Sequence, residues 1–174
     1  MVGAVSAEAV IRSAIDLPAI IGKIPGHGDF LARGIGHALR GPLDRWMSDW
    51  LDLGRTQLGD DFGEAYECAA PWLFEGAGAN AVLMPSVDAV GRLFPILAIC
   101  PVQMRTQAIY DALIEALEAR SDGDRLHETL AGIERDGAVL HNGGEDWFLP
   151  EGADPRLPSP SAVASWAQVR EHFA

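Results

Sequence analysis

Phe94-Pro95-Ile96-Leu97-Ala98-Ile99-Cys100-Pro101-Val102 carries no polar side chain at any position. Its odd and even residues are equally apolar, so a strand built from it buries both faces. Such a strand belongs in the middle of a sheet, with a layer packed on each side. This reading sets the fold class: α/β in composition, of the α+β kind, with helices flanking a sheet.

Working outward, Asn80 to Met84 reads as the preceding strand, joined to this one by a loop through Asp88 and Gly91. Tyr66 to Glu75, with Cys68, Ala70, Trp72 and Phe74 alternating, reads as a strand entering a hairpin at Gly76-Ala77-Gly78, although Pro71 interrupts it. Ala19 to Ile24 is a first β-branched strand that stops at Pro25-Gly26, and Phe30-Leu31-Ala32-Arg33 is a candidate extension of it.

Helical spacing governs the rest. Leu43, Trp46, Met47, Trp50, Leu51 and Leu58 share one face, with Pro42 near the first turn, and their tryptophans read as core anchors. Ile109, Ala112, Leu113, Ala116 and Leu117 define a second helix. Ser121-x-x-Asp124 is placed to cap a third, carrying Leu126, Leu130 and Ile133 and ending near Gly137. Val139-Leu140 and Trp147-Phe148-Leu149 flank an Asn142-Gly143-Gly144 turn signal. Pro150 to Pro160 reads as a loop or covering segment, and Trp166, Val169 and Phe173 as the buried face of a terminal helix. Residues 1–17 fit a short amphipathic helix or a mobile extension equally well; residues 18–174 form one domain.

The chain has 174 residues, 48% hydrophobic and 22% charged, with a net charge of −12. That length buries a full core without disulfides or a metal. The negative charge opposes binding to nucleic acid and to anionic lipid, and leaves protein partners. No apolar run approaches the ~20 residues of a membrane span. Cys68 and Cys100 both stand in strand-like apolar surroundings, which predicts two buried free thiols and a cytoplasmic address.

Two segments concentrate glycine, proline and charge at strand ends. They are Gly22-Lys23-Ile24-Pro25-Gly26-His27-Gly28-Asp29-Phe30 and Val82-Leu83-Met84-Pro85-Ser86-Val87-Asp88-Ala89-Val90-Gly91-Arg92-Leu93-Phe94-Pro95. Glycine admits positive φ and proline fixes φ, so both read as rigid polar loops. Asp88 and Arg92, four apart across a glycine-containing turn, are placed to form a charge-assisted pair, and Ser86 to bond nearby main chain. Lys23, Asp29, Ser86, Asp88 and Arg92 are the candidate loop-organising or binding residues. An enzymatic alternative, a small hydrolase or metal-dependent enzyme, would use His27, Asp29 and Asp88. It lacks His-x-x-x-His and Gly-x-Ser-x-Gly, so no catalytic, metal or cofactor site is assigned, and a loop-stiffening hydrogen bond is expected of His27. Gly26-His27-Gly28 and Gly34-Ile35-Gly36 lack the remainder of a phosphate-binding motif and read as turns requiring positive φ.

The first segment resembles the Gly-Lys-Leu-Pro-x-x-Gly-Asp-Phe opening of the TagF (ImpM) family of type VI secretion-associated proteins. The second is similar to that family's Met-Pro-Ser-Val-Asp-x-x-Gly-Arg-x-Phe-Pro segment, in the same order. The resemblance implies a longin-like domain with a largely antiparallel sheet. It also implies a non-enzymatic, cytoplasmic accessory protein that represses type VI secretion post-translationally, with a forkhead-associated-domain protein of that system as a partner.

Overall fold

The computed structural model describes residues 16–136 and 146–173. Five strands form one sheet: β1 (Ala19–Gly22), β2 (Leu31–Arg33), β3 (Trp72–Glu75), β4 (Asn80–Met84) and β5 (Ile96–Cys100), in spatial order β2-β1-β5-β4-β3. Every adjacent pair is antiparallel. The wholly apolar strand, β5, is the central one.

The parity of β5 divides the core. Leu97 and Ile99 join Ala19, Ile21, Ala81, Leu83, Trp72 and Phe74 on one face, under α1 (His37–Leu58), α2 (Phe62–Glu67) and α5 (Trp166–Val169). Ile96, Ala98 and Cys100 join Ile20, Val82 and Met84 on the other, under α3 (Thr106–Glu118) and α4 (Gly123–Ala131). An antiparallel sheet usually wets one face. Here both are dry, because no strand offers an alternating polar set, and each buried Leu or Ile side chain favours that arrangement by about 1.5–3 kcal/mol.

Several expectations are corrected. Phe30–Arg33 does not extend the first strand: the chain reverses, and β2 pairs back along β1 with Gly22 opposite Leu31. Tyr66 and Cys68 belong to no strand, since α2 runs to Glu67 and Cys68 ends it, exposed; only Cys100 is buried, and both thiols are free. β3 begins after Pro71. The tryptophan-bearing helix starts earlier than Leu43, at His37, so Pro42 lies inside it. Its missing N–H frees the carbonyl of Ala38, which is exposed to water, and the usual proline penalty is thereby softened.

The cap of α4 is Asp122, whose Oδ1 accepts from Arg125 N at 2.8 Å. Ser121 is already engaged in closing α3, its N–H bonding Ala116 O at 2.9 Å, while Arg120 takes the left-handed conformation (φ 49°) usually given to glycine. The helix then ends at Ala131, ahead of Gly137, which lies outside the described residues along with residues 1–15 and the Val139 to Gly144 turn signal.

The C-terminal segment covers α1. Trp46 Nε1 donates to Pro160 O at 2.9 Å and Trp50 Nε1 to Pro158 O at 2.8 Å. The expected terminal helix shrinks to short turns around α5, yet Trp166, Val169 and Phe173 are buried as its spacing requires. Trp46, Trp147, Trp166, Phe74 and Phe173 pack as one aromatic cluster, with Trp46 and Trp166 centroids 5.2 Å apart. Phe148 exchanges main-chain hydrogen bonds with Leu73, covering part of the free edge of β3.

Candidate functional site

Strand register brings the two loop segments together. Gly22 lies opposite Ile96, and Ile96 lies opposite Met84, so the end of β1, the end of β4 and the start of β5 form one row across the sheet. The β1–β2 and β4–β5 loops therefore leave from the same end. Gly22 is a required glycine: φ is +134°, and a Cβ there would overlap Pro95 O, the acceptor of the Lys23 N–H. That contact clamps the two segments back to back.

Asp88 is the centre of the resulting rim. It is 1% exposed, and its two oxygens take four hydrogen bonds: Oδ1 from Val90 N (3.0 Å) and Arg92 N (2.9 Å), Oδ2 from Arg92 Nε (2.6 Å) and Lys23 Nζ (3.3 Å). Asp88 N also donates to Arg92 O at 3.0 Å, within a narrow hairpin where Val87 pairs with Leu93. Burial by itself would raise the Asp88 pKa. The Arg92 main chain and guanidinium, Val90 N and Lys23 outweigh it together and hold the acid well below the usual carboxylate range.

The apolar part of the rim is continuous with this cluster. Lys23 Nζ stands 5.8 Å from the Phe94 ring centre, and Phe94 meets Phe30 edge-on at 5.7 Å. Beneath it, Tyr66 OH donates to Ser86 O and accepts from Ser86 N, both at 3.0 Å. Ser86 thus acts through its main chain; its hydroxyl lies 3.5 Å from Val87 O, at the limit of a hydrogen bond.

Lys23, Asp88 and Arg92 converge, then, and Ser86 lies under them. Asp29 stays apart: it is exposed, and among the described residues its Oδ1 accepts only the neighbouring Phe30 N–H, at 2.7 Å. The loop bond of His27 comes from its main chain, which donates to Ile24 O at 3.1 Å; its ring makes none among the described residues. Of the four glycines in the two short glycine pairs, only Gly34 has positive φ. Gly26 is needed for a different reason: its Cα faces Arg120 O and Ser121 O at the α3–α4 turn, where a Cβ has no room. Tyr66, Phe30 and Phe94 are site residues that sequence reasoning missed. The aromatic rings of Phe30 and Phe94, each inside one of the two segments, are the available signal for two of them.

Among the described residues no group of His, Cys, Asp and Glu is arranged to hold a metal ion, and no helix is long and apolar enough to cross a membrane. The arrangement offers shape, an anchored guanidinium and apolar rings, with its central carboxylate already saturated by donors.

Comparison with known proteins gives the following. Residues 19–133 match the family model described as the TagF N-terminal domain, type VI secretion system-associated. The structure is similar to the crystal structure of PA0076 from Pseudomonas aeruginosa PAO1, with a TM-score of 0.51 and 20% sequence identity, over 89% of this chain and 77% of that one. At that identity the likeness speaks to the fold. No curated protein matches the chain.

Proposed function

Because this chain belongs to the TagF family of type VI secretion-associated proteins, we propose that it is a non-enzymatic, cytoplasmic repressor of that system that acts post-translationally by binding another of its proteins. The observation that carries this reading is the state of Asp88. A carboxylate that takes four hydrogen bonds and is closed to solvent is suited to holding a loop and poorly suited to accepting a substrate proton. Lys23, Asp88 and Arg92 organise the rim; Ser86 anchors it from below; Asp29 shapes the adjoining loop.

Repression follows from occupancy: a component held by this rim is withheld from assembly, to the extent that it binds the free component more tightly than the assembled one. A forkhead-associated-domain protein of the same system is the first partner to test. The net charge of −12 supports a protein partner over nucleic acid. The enzymatic alternative gains nothing from the geometry, since His27, Asp29 and Asp88 share no hydrogen bond.

The test is recovery of tagged full-length chain from cells with active and inactive type VI systems, alongside secretion assays after its deletion and overproduction. The reading expects a secretion component among the companions, raised secretion on deletion and lowered secretion on overproduction. Absence of any such companion, or unchanged secretion in both strains, would overturn it. Retention on assembled sheaths would favour a scaffold subunit instead.

A further inference from the structure

Arg92 differs from the other ion-paired arginines of the described residues in what holds it. Arg33, Arg55 and Arg105 pair with carboxylates that are themselves substantially exposed, whereas Arg92 Nε sits on Asp88, which is shut away from water. Its main chain is fixed too, through Arg92 N to Asp88 Oδ1 and Asp88 N to Arg92 O. Yet its side chain is 69% exposed, and its two terminal nitrogens donate to nothing among the described residues. A guanidinium immobilised through Nε with both terminal nitrogens open is a preformed fork for a carboxylate, its rotamer entropy lost before any partner arrives.

Apolar surface adjoins this fork. Among the described residues four large hydrophobic side chains are exposed, and two of them belong to the rim: Val90 at 77%, whose N–H bonds Asp88, and Phe30 at 36%, which packs on Phe94 beside Lys23. Val90 touches the cluster only through its main chain, so its side chain has no part in holding the hairpin. At the far side, the exposed carboxylate of Asp29 beside Phe30 disfavours a second acid there. We infer that the Arg92 fork and the flanking Val90 and Phe30–Phe94 surface receive an acidic–apolar peptide segment of a partner protein, its carboxylate on the terminal nitrogens of Arg92 and its hydrophobic side chain against the rings. The chain's overall negative charge repels such a segment only at long range, and that repulsion is screened beyond about 8 Å at physiological ionic strength.

This rests on the binding reading above and adds the chemistry of the partner. The experiment probes the full chain with short overlapping peptides covering the type VI secretion components. Retained peptides are expected to place Asp or Glu beside an aromatic or long aliphatic residue. Changing that acid to its amide, and Arg92→Lys in the chain, should each weaken binding about tenfold, the loss expected when a bidentate carboxylate contact goes. Val90→Ser serves as the variant that leaves the hairpin intact and should also weaken it. Preference for basic peptides, or binding indifferent to both Arg92→Lys and Val90→Ser, overturns the inference while a recovered secretion component keeps the repressor reading alive. Self-association or oligonucleotide binding that depends on Arg92 overturns it as well. If no secretion component is recovered at all, both fall.

Discussion

The hydroxyl of Tyr66 and the main chain of Ser86 exchange two hydrogen bonds, donating to Ser86 O and accepting from Ser86 N, each at 3.0 Å. A side chain from α2 thereby does for Ser86 what a neighbouring strand does elsewhere in the sheet. It takes over where β4 ends at Met84, and it ties the Asp88 hairpin to the helical layer. Burial raises the Tyr66 pKa, against the opposing pull of the Ser86 main chain and Arg55, so the phenol keeps its proton.

Tyr66→Phe removes the hydroxyl and leaves the buried N–H of Ser86 without its partner, while Ser86 O keeps the main-chain N–H of Phe94 at 3.1 Å. The expected cost is about 2 kcal/mol of stability, read by denaturant unfolding. A loss no greater than that of an exposed control substitution would show that the contact holds nothing.

Asp88 and Arg92 should be energetically coupled. Asp88→Ala is expected to lower the melting temperature by about 5 °C or more, since it strands the donors of a closed network. Arg92→Ala should lower it less, because the main-chain bonds to Asp88 survive. The double variant should fall short of the sum of the two, and strict additivity would deny the coupling.

The same carboxylate predicts an acid dependence. Asp88 has a lowered pKa in the folded state, so its contribution is complete above the ordinary Asp value of about 3.9 and is lost as the pH falls below it. The melting-temperature gap between the unmodified chain and Asp88→Asn should therefore be widest near neutrality and close below about pH 4. A gap that instead widens on acidification would have the wrong sign for this mechanism.

Two glycines two residues apart should respond differently. Gly26→Ala forces a Cβ against Arg120 O and Ser121 O, main-chain atoms that cannot turn aside, and is expected to cost about 2 kcal/mol. Gly28 has open space above its Cα and no positive φ, so Gly28→Ala should change stability by less than about 0.5 kcal/mol. Equal effects in thermal unfolding would mean that the α3–α4 turn does not press on this loop.

The two thiols should separate cleanly. Cys68 is exposed, whereas Cys100 is buried in β5 with its pKa pushed up to about 12 by that burial. A thiol reagent at neutral pH should label Cys68 rapidly in the folded chain and Cys100 only on unfolding. Prompt labelling of both would contradict a closed sheet.

What could be read in advance divides along physical lines. β4, β5 and α3 announce themselves because period and burial agree along each of them. The Asp88–Arg92 pair is local, four residues apart across one turn, and so is visible in sequence. Lys23 joins it from 65 residues away, and only the pairing of β1 with β5 brings it there. The Tyr66 to Cys68 stretch failed because a six-residue helix is too short to display its own period, and its alternation with Ala70 imitates a strand. Ser121 as the α4 cap failed because α4 begins at Gly123, which puts Asp122, an equally good capping residue one position on, at the N-cap. The crowding at Gly26 depends on where a helix turn lands in space, and nothing in the loop encodes it.

The two indole bonds from Trp46 and Trp50 to Pro160 and Pro158 span 114 and 108 residues. During translation, the first helix emerges long before the strap that roofs it has been made, and its tryptophan-rich side has to wait uncovered. Biogenesis, more than the finished molecule, is then the vulnerable stage. The family-matched stretch to residue 133 lacks the strap altogether. Produced alone, it should bind a hydrophobic dye and precipitate where the whole chain does neither, and a clean, monodisperse fragment would show that the roof is dispensable.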